Sequence, residues 1–411
     1  MSWLLIIPLM IVCLFLNIRV YLAMFIGIIA YFLFFSSVPI EIAVQRLIAP
    51  TQSPSLLAYT GIAERILHIA NVLVGKMRGG LGVANILVST MMGGVSASNL
   101  ADAAMLSRMM VPEMERKGYN RAFAAAITAG GSLVTPIIPP GIALIIYGLV
   151  ADVSIGKMFI AGLVPGLLCA VVLMFTVYLV ARKTNAKPSR ESWPTGKEVV
   201  FSLGQAWPAL FLIFAVVGGI RANIFTPTEA GAAAVLIVLA IGFFIYREMR
   251  ISHVVKALGE TARATASVML VIMASAALGW IFSMEHAGVA VANFVTSLTE
   301  NKYMFLLIIN ILLLTLGMFL EGNAILLILV PLLKPVVEHF GIDPVHFGII
   351  MIFNLSIGAF TPPVGTVMLL VCNITQVSVG NFFKQSLPLL AALLLMLMLV
   401  TYIPAISLFL V

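Results

Sequence analysis

Side chains that can hold an ion gather at four places in this chain. Residues 93–102 read Gly-Gly-Val-Ser-Ala-Ser-Asn-Leu-Ala-Asp, so Ser96, Ser98, Asn99 and Asp102 bring hydroxyl, amide and carboxyl oxygens among glycines. Residues 317–323 set Gly317, Glu321, Gly322 and Asn323 in similar company. Two further stretches carry proline: 128–141, with Ser132, Thr135, Pro136, Pro139 and Pro140, and 354–366, with Asn354, Ser356, Thr361, Pro362, Pro363, Gly365 and Thr366. Proline lacks a donor and clashes with the preceding turn, so a helix cannot run unbroken through such a stretch. Unwinding leaves carbonyls without partners, which is costly in lipid unless they line a cavity or bind a cation. Surroundings made only of oxygen suit a hard cation such as Na⁺ and not zinc.

Asp102 and Glu321 stand out because an acid inside an apolar segment is costly and ordinarily faces a cavity or a partner. With Ser132, Asn354 and Ser356 they are the candidates for substrate contact or ion coupling, and helix capping or helix pairing is the alternative for the two acids. Close packing of small residues accounts for the glycines, but it gives Ser96, Ser98, Asn99 and Asp102 no role. Glu229, in Thr226-Pro227-Thr228-Glu229, reads as the first turn of a helix. Arg108, Arg121 and Arg221 carry the charge to pair with a carboxylate, and their spacing selects none of them. Gly156-Lys157 is followed by Met158, so it is no phosphate-binding loop. HExxH and GxSxG are absent, the histidines and the three cysteines show no metal spacing, and no cofactor is expected. The chain is therefore read as a non-enzyme, and an ion gradient is the economical energy source.

The elements that must position these residues are apolar helices. Of 411 residues, 62% are hydrophobic and 9% charged, far from the half-apolar, quarter-charged balance of soluble domains. That excludes a soluble enzyme, a disordered chain and a nucleic-acid binder; the net charge of +7 sits mostly in short connections. The fold class is an all-α polytopic membrane protein of roughly ten to twelve inserted helices. Apolar runs place spans near 3–16, 20–38, 122–150, 158–181, 201–220, 229–246, 266–283, 303–320, 345–360 and 386–411. Shorter pieces near 81–95, 98–111, 323–333 and 365–375 suit re-entrant or broken helices. The apolar start, Met1–Leu16, has no basic leader and reads as a retained span. Arg182–Glu198 is the most polar stretch and reads as a linker. The basic connection Arg247–Arg263 falls on the same side of the membrane, which the positive-inside rule makes cytoplasmic.

A repeat joins the four ion-binding stretches. Val153-Ser154-Ile155-Gly156 returns as Val377-Ser378-Val379-Gly380; Pro139-Pro140 returns as Pro362-Pro363, Pro165 as Pro388, and Val111-Pro112 as Val330-Pro331. Asp102 and Glu321 each precede the last of these prolines by the same distance. Two halves follow, 1–181 and 201–411, joined by a linker at 182–200. The first holds a hairpin near 80–111 and a broken helix near 122–150; the second holds a hairpin near 303–333 and a broken helix near 345–375. In a membrane such a repeat is the mark of a pseudosymmetric transporter, commonly of inverted topology, with its site at the matched breaks. A channel or structural membrane component is a weaker reading, because alternating access explains the symmetry directly.

The chain resembles the large membrane subunit, the DctM-like component, of tripartite ATP-independent periplasmic (TRAP) transporters. The resemblance is carried by Arg78-Gly79-Gly80-Leu81, by residues 93–131, by Thr135-Pro136-Ile137-Ile138-Pro139-Pro140, by residues 224–230 and by Thr361-Pro362-Pro363-Val364-Gly365. It implies an elevator-type, Na⁺-coupled importer with two inverted repeats, of the ion-transporter-like architecture, in a bacterial inner membrane. It further implies a small DctQ-like membrane subunit and a periplasmic binding protein that delivers an organic acid, such as a C4-dicarboxylate or sialic acid. The implied Na⁺ sites fall around Ser96, Ser98, Asn99 and Thr361, Pro362, Gly365, Thr366, with counterparts near Thr135, Pro136 and Gly317, Gly322, Asn323. A standalone ion-coupled anion carrier or exchanger is the alternative. Two departures stand out: Ala97 replaces a glycine often found between the serines, and the apolar run before Thr60 is about half a span short of its counterpart at Ser267–Ser283.

Overall fold

The computed structural model describes residues 62–182 except Ala97, most of 192–259, and 299–411, with single positions elsewhere. The expected spans near 3–16, 20–38 and 266–283 lie almost wholly outside the described residues, as do most of the linker and the stretch before Thr60.

Among the described residues every regular element is a helix. The chain order is α1 Ile62–Val74, α2 Gly80–Ser96, α3 Asn99–Arg116, α4 Arg121–Ser132, α5 Ile142–Ala151, α6 Ile155–Arg182, α7 Gly196–Arg221 and α8 Pro227–Ala240, which ends in a π-helical turn over Ile241–Ile245. Then come α9 Lys302–Phe319, α10 Gly322–His339, α11 Pro344–Phe360, α12 Thr366–Thr375, α13 Val379–Tyr402 and the short α14 Ala405–Leu408. Four of these, α6, α9, α10 and α13, are long and apolar enough to cross a membrane.

The two parts of the chain build their elements alike. Helices α2 and α3 form one hairpin, and α9 and α10 another. The apolar run at 122–150 is two helices, α4 and α5, separated at residues 133–141; α11 and α12 are separated at 361–365. The prolines account for both interruptions, since neither Pro136, Pro139 and Pro140 nor Pro362 and Pro363 can donate to a preceding turn. Both Pro-Pro bonds, Pro139-Pro140 and Pro362-Pro363, are cis. A single step of 223 residues (321 − 98) carries the helix cap Ser98 to the cap Glu321 and Asn120 to Asp343. It also carries Pro139-Pro140 to Pro362-Pro363 and Pro165 to Pro388. Asn120 accepts from Ala122 N and Asp343 from Val345 N, so each helix before a break starts on a side-chain cap. Asp152 and Gln376 both end the helix after a break in the left-handed region, at φ 57° and 54°.

This register revises one pairing. Helix α10 contains two prolines, Pro331 and Pro335. The step of 223 matches Pro112 to Pro335, so Glu321 corresponds to Ser98 and not to Asp102. Likewise Thr361 corresponds to Ile138 and Thr135 to Gly358. Two lengths also change. α10 runs on through both prolines to His339, past the short piece expected at 323–333. The run 386–411 is divided: α13 ends at Tyr402 because Pro404 pushes Ile403 out of the helical region, to φ −120° and ψ 84°.

Packing exchanges elements between the halves. α3 packs on α12 and α5 on α10; α4 packs on α13 and α6 on α11. Every α11 residue after Pro344 is buried, as expected for a helix that is apolar all round. On α6, by contrast, Leu167, Val171, Phe175 and Leu179 form an exposed apolar stripe one turn apart, the surface a lipid-facing helix needs.

Candidate functional site

The hairpin tips and the broken helices meet at one cavity. Ser98 and Asn99 reach it from the first tip, and Glu321, Gly322 and Asn323 from the second. Pro136 and Ile142 come from the first break, Thr366 from the second, and Ile352, Leu355, Ser356 and Ala359 from one face of α11. The cavity measures ≈ 90 Å³. Its wall includes the first residues of four helices, α3, α5, α10 and α12; each start carries the partial positive charge of a helix N-terminus, and those of α5 and α12 have no side-chain cap.

Local chemistry fixes each tip. Ser98 Oγ accepts from Ala101 N at 3.4 Å and so caps α3. Glu321 caps α10: Oε2 accepts from Ala324 N at 3.1 Å and Oε1 from Asn323 Nδ2 at 2.7 Å. Gly365, with φ +47°, donates its N–H to Met318 O at 2.8 Å and ties the second break to the end of α9. A side chain at Gly365 would also lie 2.7 Å from Thr361 O, so only glycine fits there.

Asp102 does not reach the cavity wall. It is 1% exposed inside the first hairpin, where the Thr135 hydroxyl donates to its Oδ2 at 3.2 Å. Thr135 Oγ1 also lies 3.5 Å from Ser89 O. Asp102 Oδ1 and Ser89 Oγ are buried as well, and the Ser89 hydroxyl faces the Asp102 carboxyl group. Four side-chain oxygens and a carbonyl thus cluster beside the first break, a donor set suited to a hard cation.

The remaining expected residues divide. Ser356 lines the cavity with its hydroxyl donated to Ile352 O at 2.8 Å. Asn354 faces the other way, donating to Asn310 Oδ1 at 2.7 Å and Ile350 O at 2.9 Å. Ser132 is buried and donates to Ala129 O, while Thr361 donates to Ile357 O, each within its own helix. Gly317 sits where α9 crosses α11, against Gly358. Pro362 lies in the second break, and the Ser96 side chain falls outside the described residues. Of the arginines, Arg121 pairs with Glu115 at 3.5 Å, Arg108 is exposed, and neither lines the cavity; the Arg221 side chain is outside the described residues. Glu229 stands in the first turn of α8.

Residue types alone did not point to Ser89, Ile142 or Asn310. Ser89 and Asn310 lie in apolar runs and gain meaning only from their neighbours across the helix contact. Ile142 matters for its backbone position; the signal was Gly141 directly after the prolines.

Comparison with known proteins places this arrangement. Residues 7–406 match the family model described as "Tripartite ATP-independent periplasmic transporter, DctM component". The chain is 37% identical to the C4-dicarboxylate TRAP transporter large permease protein DctM of Pseudomonas aeruginosa, across 87% of this chain and 83% of that protein. It is 36% identical to the sialic acid TRAP transporter large permease protein SiaM of Vibrio cholerae, across 93% and 92%. It is 31% identical to the 2,3-diketo-L-gulonate TRAP transporter large permease protein YiaN of Escherichia coli, across 89% and 88%. Among solved structures, the YdaH transporter of Alcanivorax borkumensis has a similar fold, with a TM-score of 0.55 at 16% identity over 84% of this chain and 83% of that one.

Proposed function

The chain belongs to the DctM family of TRAP transporter large permeases, and from that premise we propose that it imports an organic acid on a Na⁺ gradient by an elevator movement. It is a multi-pass inner-membrane transport protein and not an enzyme. In our reading the substrate is an organic acid and arrives on a periplasmic binding protein, and a small membrane subunit completes the permease.

The observation that carries this reading is the cavity at which four helix starts converge. Helix N-termini gathered at one cavity, two of them without a side-chain cap, favour an anion, and a carboxylate there needs no arginine. The Na⁺ would sit at the hairpin tips and breaks. On the first half the favoured oxygens are those of Ser96, Ser98, Asn99, Thr135 and the Pro136 region, with Asp102 behind them. On the second half they come from Gly317, Gly322, Asn323, Thr361, Pro362, Gly365 and Thr366. Na⁺ here is cargo: it lowers the cost of bringing buried oxygens and an anion together, so each ligand favours the binding of the other.

The test is uptake of labelled organic acids into proteoliposomes. Inward Na⁺ together with the small subunit and the binding protein should give accumulation. Leaving out any one of the three should reduce it at least about tenfold. Accumulation by this chain alone, indifferent to the binding protein, would instead identify a standalone ion-coupled carrier or exchanger.

A further inference from the structure

The loop that joins α1 to α2 meets the end of α6. Gly79, at φ +80°, lies so close to it that a side chain there would sit 2.5 Å from the Ala181 Cβ. α2 packs on α6 and α1 on α7, so the loop at 75–79 is held between the end of α6 and the start of α7. Arg78 and Arg182 each stand one residue from the Gly79–Ala181 contact, which makes them neighbours, and both are exposed. Lys76 Nζ lies 5.5 Å from the centre of the Trp193 ring, and Arg182 Cζ lies 5.3 Å from that of Tyr178. Among the described residues none of these three cations has an ion-pair partner. Like charges set together without an acid repel, and none of the three lines the cavity.

We propose that this cluster binds the headgroup of an anionic phospholipid of the cytoplasmic leaflet, phosphatidylglycerol in type, with an acyl chain lying along α6. Arg182 ends α6, and the linker that follows it falls on the side that the positive-inside rule makes cytoplasmic. Basic pockets between helices on that side attract anionic headgroups. Guanidinium groups match phosphate oxygens in pairs, and Tyr178 and Trp193 are the ring types that settle at headgroup depth.

The surface of α6 commits the site to a lipid and not to a free phosphate ester. Phe175 and Val171 stand seven and eleven residues before Arg182, on the same helix face, and Leu179 one turn before it. These side chains belong to the exposed apolar stripe, which therefore runs straight up to the guanidinium group. A phospholipid fits both parts at once: the chain covers the stripe and the phosphate meets the cations. A bound headgroup also ties the foot of the first hairpin to the end of α6 and offsets the repulsion between Arg78 and Arg182.

The experiment is native mass spectrometry of the purified full-length chain, in detergent with equal amounts of phosphatidylglycerol and phosphatidylethanolamine of the same acyl chains. The wild type should carry phosphatidylglycerol at least about fivefold over phosphatidylethanolamine. Lys76→Gln/Arg182→Gln should bring the two lipids to within about twofold of each other. Arg247→Gln/Arg250→Gln removes the same charge from two other exposed positions on the cytoplasmic side and should leave the preference near that of the wild type. If the first double variant does not fold, Arg182→Gln alone should still halve the preference, at least roughly. No preference in the wild type would overturn the proposal, as would no change in Arg182→Gln. An equal loss in both double variants would mean diffuse attraction and no site. Displacement of the lipid by excess glycerol 3-phosphate, which has the phosphate and no chains, would make a free phosphate ester the occupant and would also overturn it.

Discussion

At the scale of single residues, the buried oxygens differ in how far their surroundings already satisfy them. Ser132 and Thr361 give their hydroxyl hydrogens to their own helices, yet each oxygen keeps acceptor capacity. Asp102 is different: one oxygen takes the Thr135 hydroxyl and the Ser89 hydroxyl also faces the carboxyl group, in a site closed to solvent. A buried acid among oxygens is costly, and a cation would offset that cost. Asp102→Asn should therefore lower Na⁺-driven uptake by about tenfold or more at equal protein abundance, while Thr361→Ala should cost about threefold. Uptake per folded protein that is unchanged in Asp102→Asn would assign Asp102 to packing. Much of this was legible in residue types: Ser98, Asn99, Glu321, Asn323, Ser356 and Thr366 do meet at one cavity. Asn354 was misplaced for a reason that face arithmetic exposes. Ile352, Leu355, Ser356 and Ala359 share one face of α11, and Asn354 lies on the side of Gly358, toward α9. There it joins a buried polar chain with Asn310, whose amide donates to the Thr401 hydroxyl at 3.0 Å.

At the scale of elements, the decisive contacts are the two helix crossings behind the breaks. A Cβ on Gly358 would lie 2.6 Å from the Gly317 backbone, and a Cβ on Gly93 would lie 3.2 Å from the Thr135 backbone. The backbones approach closely in both halves because glycine stands at the contact, on one side at Gly93 and on both sides at Gly317 and Gly358. Gly358→Ala should thus lower the melting temperature through overpacking of ~1–3 kcal/mol. Gly380→Ala, where nothing lies within 4 Å of the new methyl group, should be neutral or slightly stabilising. Equal melting temperatures for the two variants would mean that the α9–α11 crossing relaxes freely. The hairpins and breaks could be read from prolines and small residues. The pairing of Asp102 with Glu321 went astray because α10 holds two prolines four residues apart; the step of 223 shared by Pro139-Pro140, Pro165 and the helix caps selects Pro335, not Pro331, as the match to Pro112. The end of α13 was missed for the opposite reason: hydropathy runs on to Val411, but Pro404 stops the helix whatever the hydropathy of its neighbours.

At the scale of the whole molecule, helices of one half seat the breaks of the other: α3 lies on α12, and α10 on α5. A site built across such an exchange changes its exposure only if both halves of the site move together, which is what an elevator requires. Accessibility of one cavity residue therefore reports on the whole machine. Ser356 is suited to this, since it lines the cavity, is 5% exposed and lies on the buried helix α11. The native cysteines Cys13, Cys169 and Cys372 are all buried and unpaired, so replacing them with alanine or serine leaves a quiet background. Ser356→Cys in that background, in sealed vesicles of known orientation, should react with a membrane-impermeant thiol reagent from one face at a time. Na⁺ alone should favour one face, and Na⁺ with a transported acid should shift the balance toward the other by about fivefold or more, as expected when a ligand prefers one of two states. Equal labelling from both faces under every condition would describe an open pore, and labelling fixed to one face would describe a site that does not alternate. Either result would end the elevator reading and leave the family membership untouched.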